Sequence, residues 1–179
     1  MNIVILGPMG CGKSTQARLL SAVLGIPAIS TGDIFRSLEH GNSLMARRIR
    51  DKIMRGLLVT DEDTFAVLSV EFRKPSYQKG VILDGFPRNI YQAQHSPIRF
   101  DYAVQLSVSD KISIERLLLR RREDDTPEIV HKRLEIYHRE TEPILKMYEV
   151  AGILKVINGE QPVPKIFSDI KVALGLTVA

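Results

Sequence analysis

The sequence predicts one α/β domain built on a doubly wound, five-stranded parallel sheet with helices on both faces. Three observations carry this. Five short runs, Ile3 to Leu6, Ala28 to Ser30, Val81 to Leu83, Ala103 to Leu106 and Leu154 to Ile157, alternate with longer helical patterns. The runs are mostly apolar and do not alternate with polar residues, the pattern of strands covered on both faces. The first run opens into Gly7-Pro8-Met9-Gly10-Cys11-Gly12-Lys13-Ser14, the GxxxxGK[ST] pattern, which then leads into a helical segment.

Helices are predicted from Lys13 to Leu24, Ser43 to Arg55, Thr60 to Phe72, Ser109 to Arg120, Thr126 to Val150 and Val163 to Leu174. The clearest start is Thr126-Pro127-Glu128. The threonine hydroxyl caps orphan amides, the proline loses nothing at a first helical position, and the glutamate complements the positive helix end. In the segment that follows, Val130, Leu134, Tyr137, Thr141, Leu145 and Tyr148 recur every three or four residues and predict a buried stripe bordered by Arg133.

Length and composition narrow the function. A chain of 179 residues suits a single domain, and 44% hydrophobic with 26% charged residues suits a packed core, which excludes a disordered or fibrous chain. One cysteine, Cys11, allows neither an internal disulfide nor a cysteine-rich zinc site, and points to a reducing compartment, the cytosol by default. Met1 to Leu6 has no basic start, and no apolar run approaches the roughly 18 residues of a membrane span, so neither export nor anchoring is expected. The net charge of +4 is concentrated. Arg36 to Arg55 holds six basic residues against Glu39 and Asp51, and Lys111 to Arg122 holds five against Glu115. Two such clusters fit two anionic sites; solvated helix faces are the plainer account.

The glycine loop carries the most specific chemistry. From the chain's own composition it would arise by chance about once in 200 sequences, before its strand and helix context is counted. Its glycines let backbone amides close on phosphate oxygens and the helix N-terminus adds positive charge. Lys13 reaches the outer phosphates, and a hydroxyl from Ser14 or Thr15 approaches Mg²⁺. Cys11 reads as the small variable residue of this phosphate-binding loop (P-loop). Asp84, ending the run Val81-Ile82-Leu83, is placed to hold Mg²⁺ through water. Gly85-Phe86-Pro87-Arg88 then sets a cation a few residues further on, where it can hold a second phosphate and so implies an acceptor.

Gly7 to Gln16, Ser30 to Arg36, Gly56 to Asp61, Leu83 to Arg88, and Asp124-Asp125 with Arg133 together resemble the adenylate kinase family, in family order over nearly the whole chain. The resemblance implies the reaction ATP + AMP ⇌ 2 ADP with Mg²⁺, and an AMP-binding insertion over 31–60. It implies that Gly10, Cys11, Gly12, Lys13, Ser14 and Thr15 hold the ATP phosphates, that Arg116 packs on the ATP base, and that backbone at Gln161 lies beside that base. On the acceptor side it implies that Thr31 and Leu57, Leu58 and Val59 surround the AMP base and that Gln92 reads the adenine. Arg36 and Arg88 grip the AMP phosphate beside Gly85, Phe86 and Pro87, and Arg120, Arg122 and Arg133 complete the cationic set. Phe86-Pro87 matches a cis peptide of the family.

The chain departs from the family pattern in places. Ser14 stands where glycine is usual, and Met9 where proline is common. Only Arg121, Arg122 and Glu123 separate Arg120 from the Asp-Asp pair, where the family inserts a lid. The segment 120–125 therefore reads as a minimal turn, and the chain as a nearly lidless member. Asp124 and Asp125 either orient the arginines by ion pairs or cap the turn before Thr126.

Chemistry independent of the family agrees. A phosphate monoester is already a nucleophile at neutral pH, so transfer needs alignment and charge neutralisation, not a general base. Lys13, Arg36, Arg88, Arg120, Arg122 and Arg133 are the candidates to supply it. His40, His95, His131 and His138 show no metal-ligand spacing. The rivals are a UMP or CMP kinase, against which Thr31 and Gln92 argue, a nucleotide switch or nucleic-acid binder, which lacks an aromatic platform here, and a non-catalytic binder. Expected partners are ATP and AMP or ADP, with no nucleic acid and no membrane, in a monomer or small homo-oligomer.

Overall fold

The computed structural model describes residues 1–120 and 125–176. Five parallel strands, β1 (Asn2–Leu6), β2 (Ala28–Ser30), β3 (Val81–Asp84), β4 (Tyr102–Ser107) and β5 (Leu154–Asn158), form one sheet in the order β2-β3-β1-β4-β5. All five runs expected from sequence are strands.

Side chains of β1 divide between two apolar layers because successive strand residues face opposite ways. Ile3 and Ile5 pack with Ala17, Leu20, Ile166 and Ile170, from helices α1 (Lys13–Leu24) and α9 (Val163–Ala173). Val4 and Leu6 pack with Ile144, Leu145 and Tyr148 of α8 (Glu142–Val150). Each fully buried aliphatic side chain contributes about 1.5–3 kcal/mol. Helices thus cover both faces, as a doubly wound sheet requires.

Between β2 and β3 lie α2 (Thr31–Glu39), α3 (Leu44–Met54) and α4 (Asp61–Glu71). The helices expected from sequence include α3 and α4 but not α2. The Ser30 hydroxyl nevertheless caps it, accepting from the Asp33 amide at 3.2 Å. The short α5 (Ile90–Gln94) also lies outside the sequence expectation and is capped by Asn89, whose Oδ1 accepts from the Gln92 amide at 2.7 Å.

After α6 (Asp110–Arg120), the single helix expected over 126–150 proves to be three pieces. These are α7 (Pro127–Ile136), a π-helical turn over Tyr137–Thr141, and α8. Pro143 explains the break, because it has no N–H to donate and its ring crowds the carbonyl four residues earlier, so the ladder widens by one residue. The stripe survives, with all six of its residues buried. The Thr126 hydroxyl caps α7, accepting from the Ile129 amide at 3.4 Å.

Candidate active site

The site lies beyond the carboxyl ends of the central strands, where ligands bind in sheets of this type. The loop after β1 turns directly into α1. Gly7 has φ +142, and a Cβ there would meet the Leu106 carbonyl oxygen at 2.6 Å; Gly10 has φ +83 and would meet the Ser113 carbonyl oxygen at 2.8 Å. Only glycine fits either position without shifting backbone. No side chain caps α1, so its first amides are left for an anion. Lys13 Nζ donates to the carbonyls of Gly7 at 2.9 Å and Pro8 at 2.8 Å, folding the ammonium back over the loop mouth. Cys11 is fully buried with its Sγ 3.6 Å from Lys13 Nζ, and burial pushes its thiol pKa up, which suits a packing residue and not a redox one.

Parallel register sets Asp84 opposite Ile5 of β1, beside the start of the loop. Ser14 donates its hydroxyl to Asp84 Oδ2, a contact made between residues 70 positions apart. Of the two hydroxyls left open by the sequence, Ser14 is thus the one on the carboxylate. The paired carboxylate and hydroxyl form a hard-oxygen donor set, which fits a hydrated Mg²⁺. Among the described residues no group of three or more His, Cys, Asp or Glu could hold a metal by itself. Substrate phosphate oxygens would have to supply the rest of the shell.

A single cavity runs from Gly7, Met9 and Lys13 at the loop to a second basic region lined by Arg36, Arg88 and Arg133. Leu57, Leu58, Val59, Gly85, Pro87 and Gln92 also line it. Arg88 is partly buried, and its pKa is pushed below the usual guanidinium value by desolvation and by the charges of Arg133 and Arg36, with Asp84 opposing. Three guanidinium groups line one region of the cavity, a residue set that suits an anion. Arg88 is aimed by an Nε contact to the Gly85 carbonyl at 2.9 Å, while its own carbonyl accepts from Thr141 Oγ1 at 2.7 Å. The peptide Phe86-Pro87 is cis.

Two expected wall residues sit differently. Thr31 is buried off the cavity with its hydroxyl on the Asp84 carbonyl at 3.3 Å. Phe86 is a core residue with no exposure, packed edge-on against Phe65 at 5.9 Å between ring centres. Arg36 donates to Asp33 at the cavity's edge.

Arg120 and Arg133 meet through Asp125. Arg120 donates to both of its oxygens at 2.8 Å, and Arg133 Nη1 reaches Oδ1 at 3.4 Å. Asp125 therefore orients arginines, one of the two roles open from sequence. Arg122 and Asp124 lie outside the described residues, as do Arg121 and Glu123, so most of the 120–125 turn does too. Arg116 Nη1 donates to the Gly159 carbonyl at 2.9 Å, bringing it against the turn that carries Gln161. Gln161 itself is held by Asp169 at 3.0 Å. Thr15 is half-buried on α1.

Not all of the first basic cluster serves an anion. Arg48 makes a fork on the buried Asp63, with Nε at 3.0 Å, tying α3 to α4, and this arginine holds the Asp63 carboxyl below its usual pKa. Arg50 donates to the Glu39 carbonyl at 2.9 Å. The solvated and structural account holds for these two.

Sequence reasoning missed the polar support of Gln92. Asp61 Oδ1 accepts from both Asn89 Nδ2 at 2.9 Å and Gln92 Nε2 at 2.8 Å. Asp61 reads locally only as a first-turn acid of α4; its contact with Gln92 spans 31 positions.

Residues 5–153 match the family model described as adenylate kinase. This chain belongs to the adenylate kinase family. It is 34% identical over 183 residues to an adenylate kinase of Trichodesmium erythraeum, covering 96% of each chain. An adenylate kinase of Xanthomonas oryzae pv. oryzae is 37% identical over 188 residues, covering 98% of this chain and all of that one. With an adenylate kinase of Geobacillus sp. the identity is 34% over 213 aligned residues, more positions than this chain has, so that adenylate kinase contains sequence that this chain lacks.

Proposed function

We propose that this adenylate kinase transfers the γ-phosphoryl group of MgATP to AMP, giving two ADP, by in-line transfer with charge neutralisation by Lys13 and the arginines. One observation supports this above the rest. The cavity that begins at the phosphate-binding loop and Lys13 is continuous with the region where Arg36, Arg88 and Arg133 converge, so a donor and an acceptor phosphate can meet within one cavity.

In this reading the loop 10–15 binds the ATP phosphates, and Arg116 with the Gln161 turn flanks the ATP base. The insertion over 31–60 closes the AMP pocket, with Leu57, Leu58 and Val59 along the base and Gln92 reading it. Arg36 and Arg88 hold the AMP phosphate, which needs no general base to attack. Arg120 and Arg133, tied together by Asp125, neutralise charge on the moving group. Ser14 and Asp84, the latter through water, hold Mg²⁺. That ion offsets repulsion between the nucleotides' phosphates. With only four residues between Arg120 and Asp125 in the sequence, too few for a covering lid, Arg120 and Arg133 act near the site without a large closing motion. We further propose a cytosolic enzyme acting as a monomer or small homo-oligomer.

A coupled assay for ADP formed from ATP and AMP tests the reading, with turnover on CMP, UMP and GMP alongside. AMP is the expected preferred acceptor. Arg88→Ala is expected to lose at least two orders of magnitude in transfer, given about 3 kcal/mol for one preorganised charge contact. Near-normal transfer in that variant would remove Arg88 from the mechanism.

A further inference from the structure

We propose that Asp61 is a specificity-determining positioning residue, which selects adenine over hypoxanthine by fixing which way round the Gln92 side-chain amide sits. The inference rests on the reading of Gln92 as the base-facing residue.

An amide can present its oxygen and nitrogen in either of two orientations of similar shape. Here the neighbours remove that choice. The Arg88 backbone N–H, which can only donate, points at Gln92 Oε1 at 2.8 Å. The Asp61 carboxylate, which can only accept, takes Gln92 Nε2 at 2.8 Å. Turning the amide over would set N–H against N–H on one side and oxygen against oxygen on the other. Asp61 is itself held, because the same oxygen accepts from Asn89 Nδ2 at 2.9 Å, and Asn89 caps the helix carrying Gln92. Gln92 is 2% exposed, so water does not compete for these contacts, yet it lines the cavity that Asp61 does not.

With both orienting bonds made, Gln92 retains one N–H on Nε2 and one acceptor position on Oε1. Adenine offers an acceptor at N1 beside a donor at its exocyclic amine, a complementary pair. Hypoxanthine offers a donor at N1 beside an acceptor at O6, the reverse pair, which only the overturned amide would satisfy. A site built around a fixed hydrogen-bond pair rejects the reversed pattern because buried polar groups are left facing like groups.

The test measures kcat/KM for AMP and for IMP in wild type, Asp61→Ala, Asp61→Asn, Gln92→Ala and Asp61→Ala/Gln92→Ala. Asp61→Ala removes one of the two constraints and is expected to lower the AMP-to-IMP ratio about tenfold. Asp61→Asn keeps an oxygen that Asn89 and Gln92 can both reach, and is expected to hold the ratio within about twofold of wild type. In the Gln92→Ala background the further Asp61→Ala change is expected to leave the ratio unmoved. A merely structural role for Asp61, at the start of α4, would lower both substrates alike and leave the ratio where it was; that result with Asp61→Ala overturns the proposal. If Gln92→Ala also leaves the ratio unchanged, the base-reading role of Gln92 falls with it, whereas a ratio lowered by Gln92→Ala alone sinks only the part played by Asp61.

Discussion

Arg120 grips Asp125 through both carboxylate oxygens, each at 2.8 Å, and the Asp125 side chain has no solvent exposure. The same carboxylate reaches Arg133 at 3.4 Å, so one buried anion from the start of the α7 segment positions cations on α6 and α7. An acid in this place holds the two arginines in fixed positions relative to each other.

Asp125→Ala is therefore expected to lower transfer about a hundredfold, the usual cost of letting aligned groups drift by around an ångström. It should also lower the melting temperature, because Arg133 is left nearly buried with less compensation. Steady-state kinetics and a thermal melt on the same preparation check both. Unchanged kcat with a lowered melting temperature would confine Asp125 to a structural role.

Arg88 makes the opposite trade. Desolvation and two neighbouring cations disfavour its charge, with Asp84 opposing them, so an anion bound beside it would stabilise the charged form. Arg88→Met is expected to melt no lower than wild type and as much as about 1 kcal/mol higher in stability, while losing activity. Saturating AMP should raise the wild-type melting temperature clearly and that of the variant much less. Equal ligand shifts in the two proteins would contradict the assignment.

The π-helical turn carries a pH-dependent link. His138 Nδ1 lies 2.8 Å from Glu142 and its Nε2 lies 2.9 Å from Asp110, and these two acids raise its pKa above the usual 6.5. A raised folded-state pKa means the stabilisation is complete below about pH 6.5 and fades as pH climbs through the folded value. The melting-temperature gap between wild type and His138→Asn should thus be wider near about pH 5.5 than near about pH 8.5. A gap that widens with rising pH would reverse the assignment.

With only four residues between Arg120 and Asp125 in the sequence, shielding from water becomes measurable. ATP hydrolysis without AMP is expected to stay far below the transfer rate if the oriented arginines need the acceptor to complete the charge cluster. Hydrolysis approaching the transfer rate would mean that the site is open to solvent.

What the chain's local order determined is the part written within a few residues. The five strands follow from short apolar runs, the loop from Gly7 to Ser14 follows from its glycines and its flanking strand and helix, and the start of α7 follows from Thr126-Pro127. Arg36, Arg88 and Arg133 were legible as candidates for one basic region, where the cavity does bring them together, because residue type and motif context suffice to single them out. Local periodicity could not show that Pro143 breaks the long helix into three, nor that α2 and α5 exist, since those helices depend on single caps at Ser30 and Asn89. Tertiary structure alone decided the strand order, the choice of Ser14 over Thr15 at Asp84, and the sharing of Asp125. It also decided that Arg48 serves Asp63, and that Asp61 holds Gln92. Burial and hydrogen-bond satisfaction settle such contacts, and both depend on which distant segments the sheet brings together. A pattern of neighbouring residues carries no record of that distance.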